Sequence, residues 1–505
     1  MRKWVLWLGC SSLVAIAAWG LPAKANAEKL LQKPLYQADV QIDPVKKEVT
    51  GSVAITFWPE DPQRAYLHLY PDVFTEQHEG MLWEELLGKE PVLGTYDNNR
   101  LAVDGKMVVG QKERHILQVP LQANEQSGAA ASPRRIQLDF AMKLPHNDGR
   151  MSYDDHAIWL GNWLPILAVH EQAGWRLDAY EPVGDPFYSE IADYEVNVTY
   201  PAGYQLASTA ADAGAEVAAS PATSGGKKTV RLRVENVRDF ALVLMDSTYQ
   251  KAETKAGNTL VRTWWRQGDD ELLAKRIHEA GAKSLAYFQE QLGAYPYVEY
   301  DVVRTGGAIN GMEYPALVFL DGRHFAAGAE TGIVTVAHET AHQWFYGLLG
   351  NDQLREAWLD EGFTEYVTLA FLSREYPLTG AERVRRRLEN GIFVQWYVKE
   401  ELRPWQALSA FPANQSYSDL VYSRTSSMLW LLRGAWGEER LHDVLREYVQ
   451  TYRYQNVSGE QWEAFLSRAA GEDARAFLDY WMKLDMSRQE QAAAWLERQR
   501  DKQRK

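Results

Sequence analysis

The run His338-Glu339-Thr340-Ala341-His342, followed by the acids Asp360 and Glu361, constrains this chain more than any other feature. On a helix, residues four apart share a face, so His338 and His342 aim two imidazoles at a common point. Glu361 follows His342 by nineteen positions, room for one turnaround and a second helix that brings its carboxylate back to the pair. Two imidazoles, one carboxylate and an open fourth position meet the needs of a catalytic zinc ion. Glu339 lies beside both histidines without being needed as a ligand, which leaves it free to take a proton from an attacking water. The pattern implies a metal-dependent hydrolase.

A histidine on an apolar helix face is more often a hydrogen-bonded core residue than a ligand, so the flanks matter. Residues 330–347 show helical periodicity through Ile333, Val334, Val336, Ala337, Trp344 and Phe345, with Gly347 placed to stop the helix. Residues 358–371 repeat the pattern through Leu359, Phe363, Tyr366, Val367 and Ala370, which sets Glu361 near a helix start. A buried glutamate there without a cationic partner is costly. Glu365, one turn further on, is either the carboxylate that orients a ligand histidine or an ordinary surface acid; the sequence leaves both open.

The strings HETAHQWFYGLLGN and EAWLDEGFTEY resemble the zinc signature of the aminopeptidase N and leukotriene hydrolase family, zinc aminopeptidases among the gluzincins. The resemblance implies one zinc ion per chain held by His338, His342 and Glu361, with Glu339 as general base. It points also to Asn310-Gly311-Met312-Glu313-Tyr314, where the family commonly has Gly-x-Met-Glu-Asn. Glu313 would bind the free α-amine of a peptide, with Gly311 and Met312 completing that substrate-binding strand. Asn310 and Tyr314 depart from the family pattern. Val421-Tyr422-Ser423-Arg424 matches the place of a family tyrosine that donates to the oxyanion, with Arg424 and Thr425 where Lys and Gly are usual. Tyr422 is then the donor, and Tyr417 the nearby competitor.

Composition divides the chain. Residues 28–250 carry short alternating runs such as 49–57 and 229–234, the mark of an antiparallel β-sandwich or saddle. Two Ala/Gly/Ser-rich stretches, 124–132 and 208–226, look like hairpin tips. Residues 251–485 are mainly helical, with an amphipathic helix through Leu273, Ile277, Leu285, Phe288 and Leu292, a strand at 299–304 and a capping box at Ser458 and Gln461. The expected architecture is therefore α+β and multidomain; the resemblance makes the second unit thermolysin-like. Residues 486–505 read as a charged, glutamine-rich C-terminal tail, or a frayed helix.

Residues 1–27 read as a secretory signal: Arg2 and Lys3, an apolar run, then Ala25-Asn26-Ala27. An exported protein, secreted or at the cell surface, is expected, with an uncleaved anchor or a lipoprotein as the lesser alternatives. The single cysteine, Cys10, falls within that segment, so the mature chain would have no thiol chemistry. Removal of Arg2, Lys3 and Lys24 would take the net charge from −14 to −17, which disfavours nucleic acid and anionic membranes as partners. The basic run 383–387, flanked by acids, reads as a solvated helix face. The expected partners are peptides with a free N-terminus. An endopeptidase on the same centre, and a non-catalytic peptide-binding module, are the alternatives; the intact metal and base residues count against the latter. For a second contact to the amine, the stretch 161–165 of the β-rich unit is the place to look.

Overall fold

Strand Leu35–Asp43 buries Tyr36, Ala38, Val40 and Ile42 and leaves the residues between them more exposed, the two-residue period of a half-buried sheet. It lies in a sheet of eight strands, pairing antiparallel with Glu48–Phe57 and parallel with Ala192–Pro201. The sheet is thus mixed, not purely antiparallel, because Ala192–Pro201 returns to this edge only after a long excursion through two four-stranded sheets. Tyr36, Val53, Leu138, Trp163, Tyr194 and Phe240 help fill the core beneath it. The computed structural model describes residues 32–121, 132–212, 216–218, 226–328, 331–396, 398–399 and 401–503. The expected signal at 1–27 and most of both Ala/Gly/Ser-rich stretches lie outside them. Among the described residues, no helix is long and apolar enough to cross a membrane.

The second half is built on a five-stranded sheet, in the order Tyr249–Ala256, Thr259–Arg266, Glu299–Thr305, Leu317–Asp321, Gly311–Met312. Its three central strands are parallel and its two edges antiparallel. Helix Glu271–Leu292 starts on the Asp270 side chain and buries Leu273, Ile277, Leu285, Phe288 and Leu292, the face read from the sequence. Ser458 and Gln461 form the expected capping box. A separate apolar cluster joins the two halves: Trp159 and Val243 from the β-rich part pack with Met312, Tyr314 and Phe319.

The segment expected as a charged tail or frayed helix is a docked helix, Gln489–Gln503. Ala492, Trp495 and Gln499 recur at helical spacing on one buried face. Trp495 stacks on Phe477 at 4.6 Å, and Gln499 accepts a hydrogen bond from Trp436 Nε1 at 3.2 Å. Three inward residues among many charged ones are too few to stand out in composition.

Candidate active site

Helix Thr331–Ala341 carries His338 and Glu339. It ends six residues before Gly347, where the sequence pattern placed its stop. The His342 amide still reaches His338 O at 3.4 Å, and the chain then folds back with Gly347 N donating to His342 O at 2.9 Å. Gly347 is needed for this turn, since a Cβ there would lie 2.6 Å from Gln343 O. Helix Trp358–Glu375 begins three residues before Glu361, as its pattern implied. Gly362 lets it approach Thr425, which a Cβ would meet at 2.3 Å.

The two helices bring three donors to one point. His338 Nε2 and His342 Nε2 are 3.1 Å apart, and each lies 3.2 Å from Glu361 Oε2. Four-coordinate zinc with bonds of about 2.0–2.1 Å separates its donors by roughly 3.3–3.4 Å, so this triangle fits. The His342 tautomer fits as well. Asp360 Oδ1 sits 2.7 Å from His342 Nδ1, and Glu365 Oε2 sits 3.2 Å from His338 Nδ1. The Asp360 contact holds a proton at His342 Nδ1 and turns its Nε2 lone pair to Glu361, while His338 Nδ1 lies near Glu365 without a hydrogen bond to it among the described residues. Two Nε2 atoms facing one carboxylate suit a shared cation.

The electrostatics follow from burial. Burial works to raise the Glu361 carboxyl, but the two histidines hold it well below its usual value. Glu365 is likewise fully buried, yet Arg383 and Arg387, at 3.0 and 2.8 Å, keep it strongly ionised. That settles the two readings of Glu365: it faces His338, not solvent. It also corrects the reading of the basic run as a solvated face. Arg385 does pair outward with Glu389, but Arg383 and Arg387, one turn apart on helix Pro377–Phe393, reach inward.

Burial pushes the Glu339 carboxyl up to about 7, against the pull of His338 and His342. Gly311 is what leaves it room, since a Cβ there would lie 2.2 Å from Glu339 Oε1. Glu313 is 3% exposed, and its Oε1 has no hydrogen-bond partner among the described residues. Burial raises its carboxyl well above the usual range. Donor atoms of Glu313, Glu339 and His342 lie within 4.8 Å of one another. Met312 goes elsewhere: its side chain is buried in the apolar cluster between the halves, with Sδ 3.1 Å from Arg150 Nε. Any part it has in binding is through its backbone.

Tyr422 closes the other side. It donates to Glu361 Oε1, and its ring stacks on His338 with centroids 5.7 Å apart. It sits within a π-helical stretch, Ser418–Arg424, a local irregularity common at functional sites. Tyr417 lines the same cleft, with a buried hydroxyl that lacks a partner among the described residues. Arg424 turns away, its guanidinium 3.9 Å from the Trp481 ring centroid and 3.1 Å from Gly391 O.

The β-rich half contributes Arg150, Pro182, Gly184 and Asp185 to a cleft of about 480 Å³. Arg150 bonds Asp185 at 2.5 Å and Gly184 O at 2.8 Å. None of these was singled out in the sequence, and nothing local marks them. The stretch 161–165 does not reach the cleft. It seats Tyr314, whose hydroxyl donates to Asn162 Oδ1 at 2.6 Å, while Asn162 Nδ2 donates to Asp239 at 2.6 Å. Gly161 is required there, because a Cβ would fall 1.9 Å from the Tyr314 oxygen.

Residues 277–481, which contain all three metal-donor residues, match the profile of the Peptidase family M1 domain. That stretch is similar to an M1 peptidase domain. Over 265 residues it is 26% identical to Aminopeptidase M1-D of Oryza sativa subsp. japonica, covering 48% of this chain and 29% of the rice protein. It is 29% identical over 202 residues to Aminopeptidase N of Lactococcus lactis subsp. lactis, covering 38% and 23%. Leukotriene A-4 hydrolase of Xenopus laevis is 25% identical over 211 residues, covering 39% and 34%. The matched region thus spans about a quarter to a third of these relatives' length. The likeness of fold extends beyond that stretch: an M1 zinc metallopeptidase of Deinococcus radiodurans, a mutant bound to a Tyr-Ser-Ala substrate, superposes with a TM-score of 0.60. That likeness, at 18% identity, covers 89% of this chain and 94% of the other.

Proposed function

We propose that this chain is a zinc-dependent aminopeptidase, exported by its N-terminal segment, that removes N-terminal residues from peptides. The observation that carries the reading is Glu313. A buried carboxylate with an unpartnered oxygen, beside a three-donor metal site, suits a substrate ammonium that supplies the missing charge and hydrogen bond. The names of the relatives and the apolar, arginine-led segment at residues 1–27 support the reading.

His338, His342 and Glu361 would hold the ion. The chemistry such an ion supplies is that of a Lewis acid, making water a nucleophile near neutral pH and polarising the scissile carbonyl. Glu339 accepts the proton of the attacking water and returns it to the leaving amine. The Tyr422 hydroxyl, already at the rim of the donor triangle, turns from Glu361 to the developing oxyanion. Glu313 fixes the register, so that only the first peptide bond reaches the centre.

The test is hydrolysis of aminoacyl chromogenic amides, free and N-acetylated, by the zinc-loaded protein and its Glu339→Gln variant. Turnover of the free amides alone, lost in Glu339→Gln, is expected. Cleavage of the acetylated set would make this an endopeptidase.

A further inference from the structure

The cleft is charged unevenly from end to end. Glu313 and Glu339 lie on the His342 side of the donor triangle, and Asp185, though paired with Arg150, still acts on Glu313. The opposite end lies beyond His338. There Glu365 meets two guanidinium groups, Arg383 and Arg387, both of which line the cleft. Asp419 also acts on Arg387, so what distinguishes this end is the placement of the two guanidinium groups, not a net surplus of charge.

The two arginines are not equivalent. Arg387 is committed to Glu365 through Nε and to Ser418 and Ser423 through Nη1, at 3.1 Å each. Arg383 uses Nε and Nη2 on Glu365, and its Nη1 has no hydrogen-bond partner among the described residues. Its side chain is 31% exposed, so a ligand can reach it. Glu85, the acid that helix Met81–Leu87 brings to the rim, accepts from Asn414 Nδ2 at 2.6 Å.

The ends are close. Contacts in series run from Glu313 to His342, from His342 to His338, from His338 to Glu365 and from Glu365 to Arg383, none above 4.8 Å. With the widths of the rings and the carboxylate between these contacts, the path is at most about 20 Å, and an extended peptide advances about 3.3–3.6 Å per residue, so a chain of no more than about six residues bridges the ends. We propose that Arg383 is a specificity-determining residue that binds the C-terminal carboxylate of short free peptides whose ammonium is held by Glu313. The inference rests on the aminopeptidase reading and adds to it a preferred substrate class, small zwitterionic peptides. A guanidinium with an open N–H suits a carboxylate better than a neutral end, since charge-assisted bonds are about twice as strong as neutral ones.

The experiment compares the tripeptide Tyr-Ser-Ala with its C-terminal amide, using zinc-loaded full-length protein. Wild type is expected to favour the free acid by about tenfold or more in kcat/KM, mainly through KM. Arg383→Gln should bring that ratio close to one, and Arg383→Lys should restore part of it. A ratio near one in wild type, with both peptides cleaved, overturns the inference and leaves the aminopeptidase reading standing. An Arg383→Gln variant slowed equally on both, with the ratio intact, assigns the arginine to holding Glu365 and overturns the inference too. Cleavage of neither peptide by wild type contradicts the aminopeptidase reading itself.

Discussion

Tyr422 donates its hydroxyl to Glu361 Oε1, while the other oxygen of that carboxylate lies 3.2 Å from Nε2 of both His338 and His342. The oxyanion donor and the metal-donor set thus meet on a single side chain, and the hydroxyl has only a short way to turn. Replacing Tyr422 by Phe keeps the ring stacked on His338 and removes only the donor. We expect kcat to fall by about 10²-fold or more, with KM and zinc content little changed. Steady-state kinetics beside metal analysis check this, and an unchanged kcat would pass the role to Tyr417.

Glu365 lies 3.2 Å from His338 Nδ1 while two arginines keep it ionised. Glu365→Gln keeps the shape and loses the charge. Zinc affinity should weaken by about 10–100-fold, which a chelator competition titration measures. An affinity equal to that of wild type would reduce Glu365 to a structural partner of Arg383 and Arg387.

These two residues also show what the sequence makes legible. The donor triangle is written in local spacing: four positions on one helix, then a first-turn glutamate on the next, each read by helix periodicity alone. Glu313 and Tyr422 needed the family resemblance, since no spacing ties them to the histidines. Arg383 and Arg387 have the same four-residue spacing as the histidines, yet their partner lies 18 and 22 residues away, so they looked like a solvated face. Arg150 and Asp185 were out of reach for the same reason: they come to the cleft from another sheet system, through the packing of the two halves. The end of the metal helix at Ala341 was hidden because Trp344 and Phe345 are buried by a turn as well as they would be by a helix.

Asp239 gives the fold a pH dependence of its own. It is buried beneath Asn162 and Phe240 N, each at 2.6 Å, and burial pushes its carboxyl up to about 7. In the unfolded chain the value is about 3.9, so the folded state binds the extra proton between the two. The stability this contributes is full below about pH 4 and is lost as pH rises through about 7, on the order of 4 kcal/mol in all. Asp239→Asn removes the titration. The Tm of the variant relative to wild type, both zinc-loaded, should therefore rise between pH 6 and pH 8.5. Parallel Tm profiles would show that Asp239 does not titrate in this range.

Amine capture depends on the buried oxygen of Glu313, and the kinetics of Glu313→Gln on free aminoacyl amides test it most directly. The variant should retain its zinc and raise KM by about tenfold or more, because a neutral amide replaces a charge-assisted contact to the substrate ammonium. A KM equal to that of wild type, with zinc still bound, would contradict amine capture by Glu313.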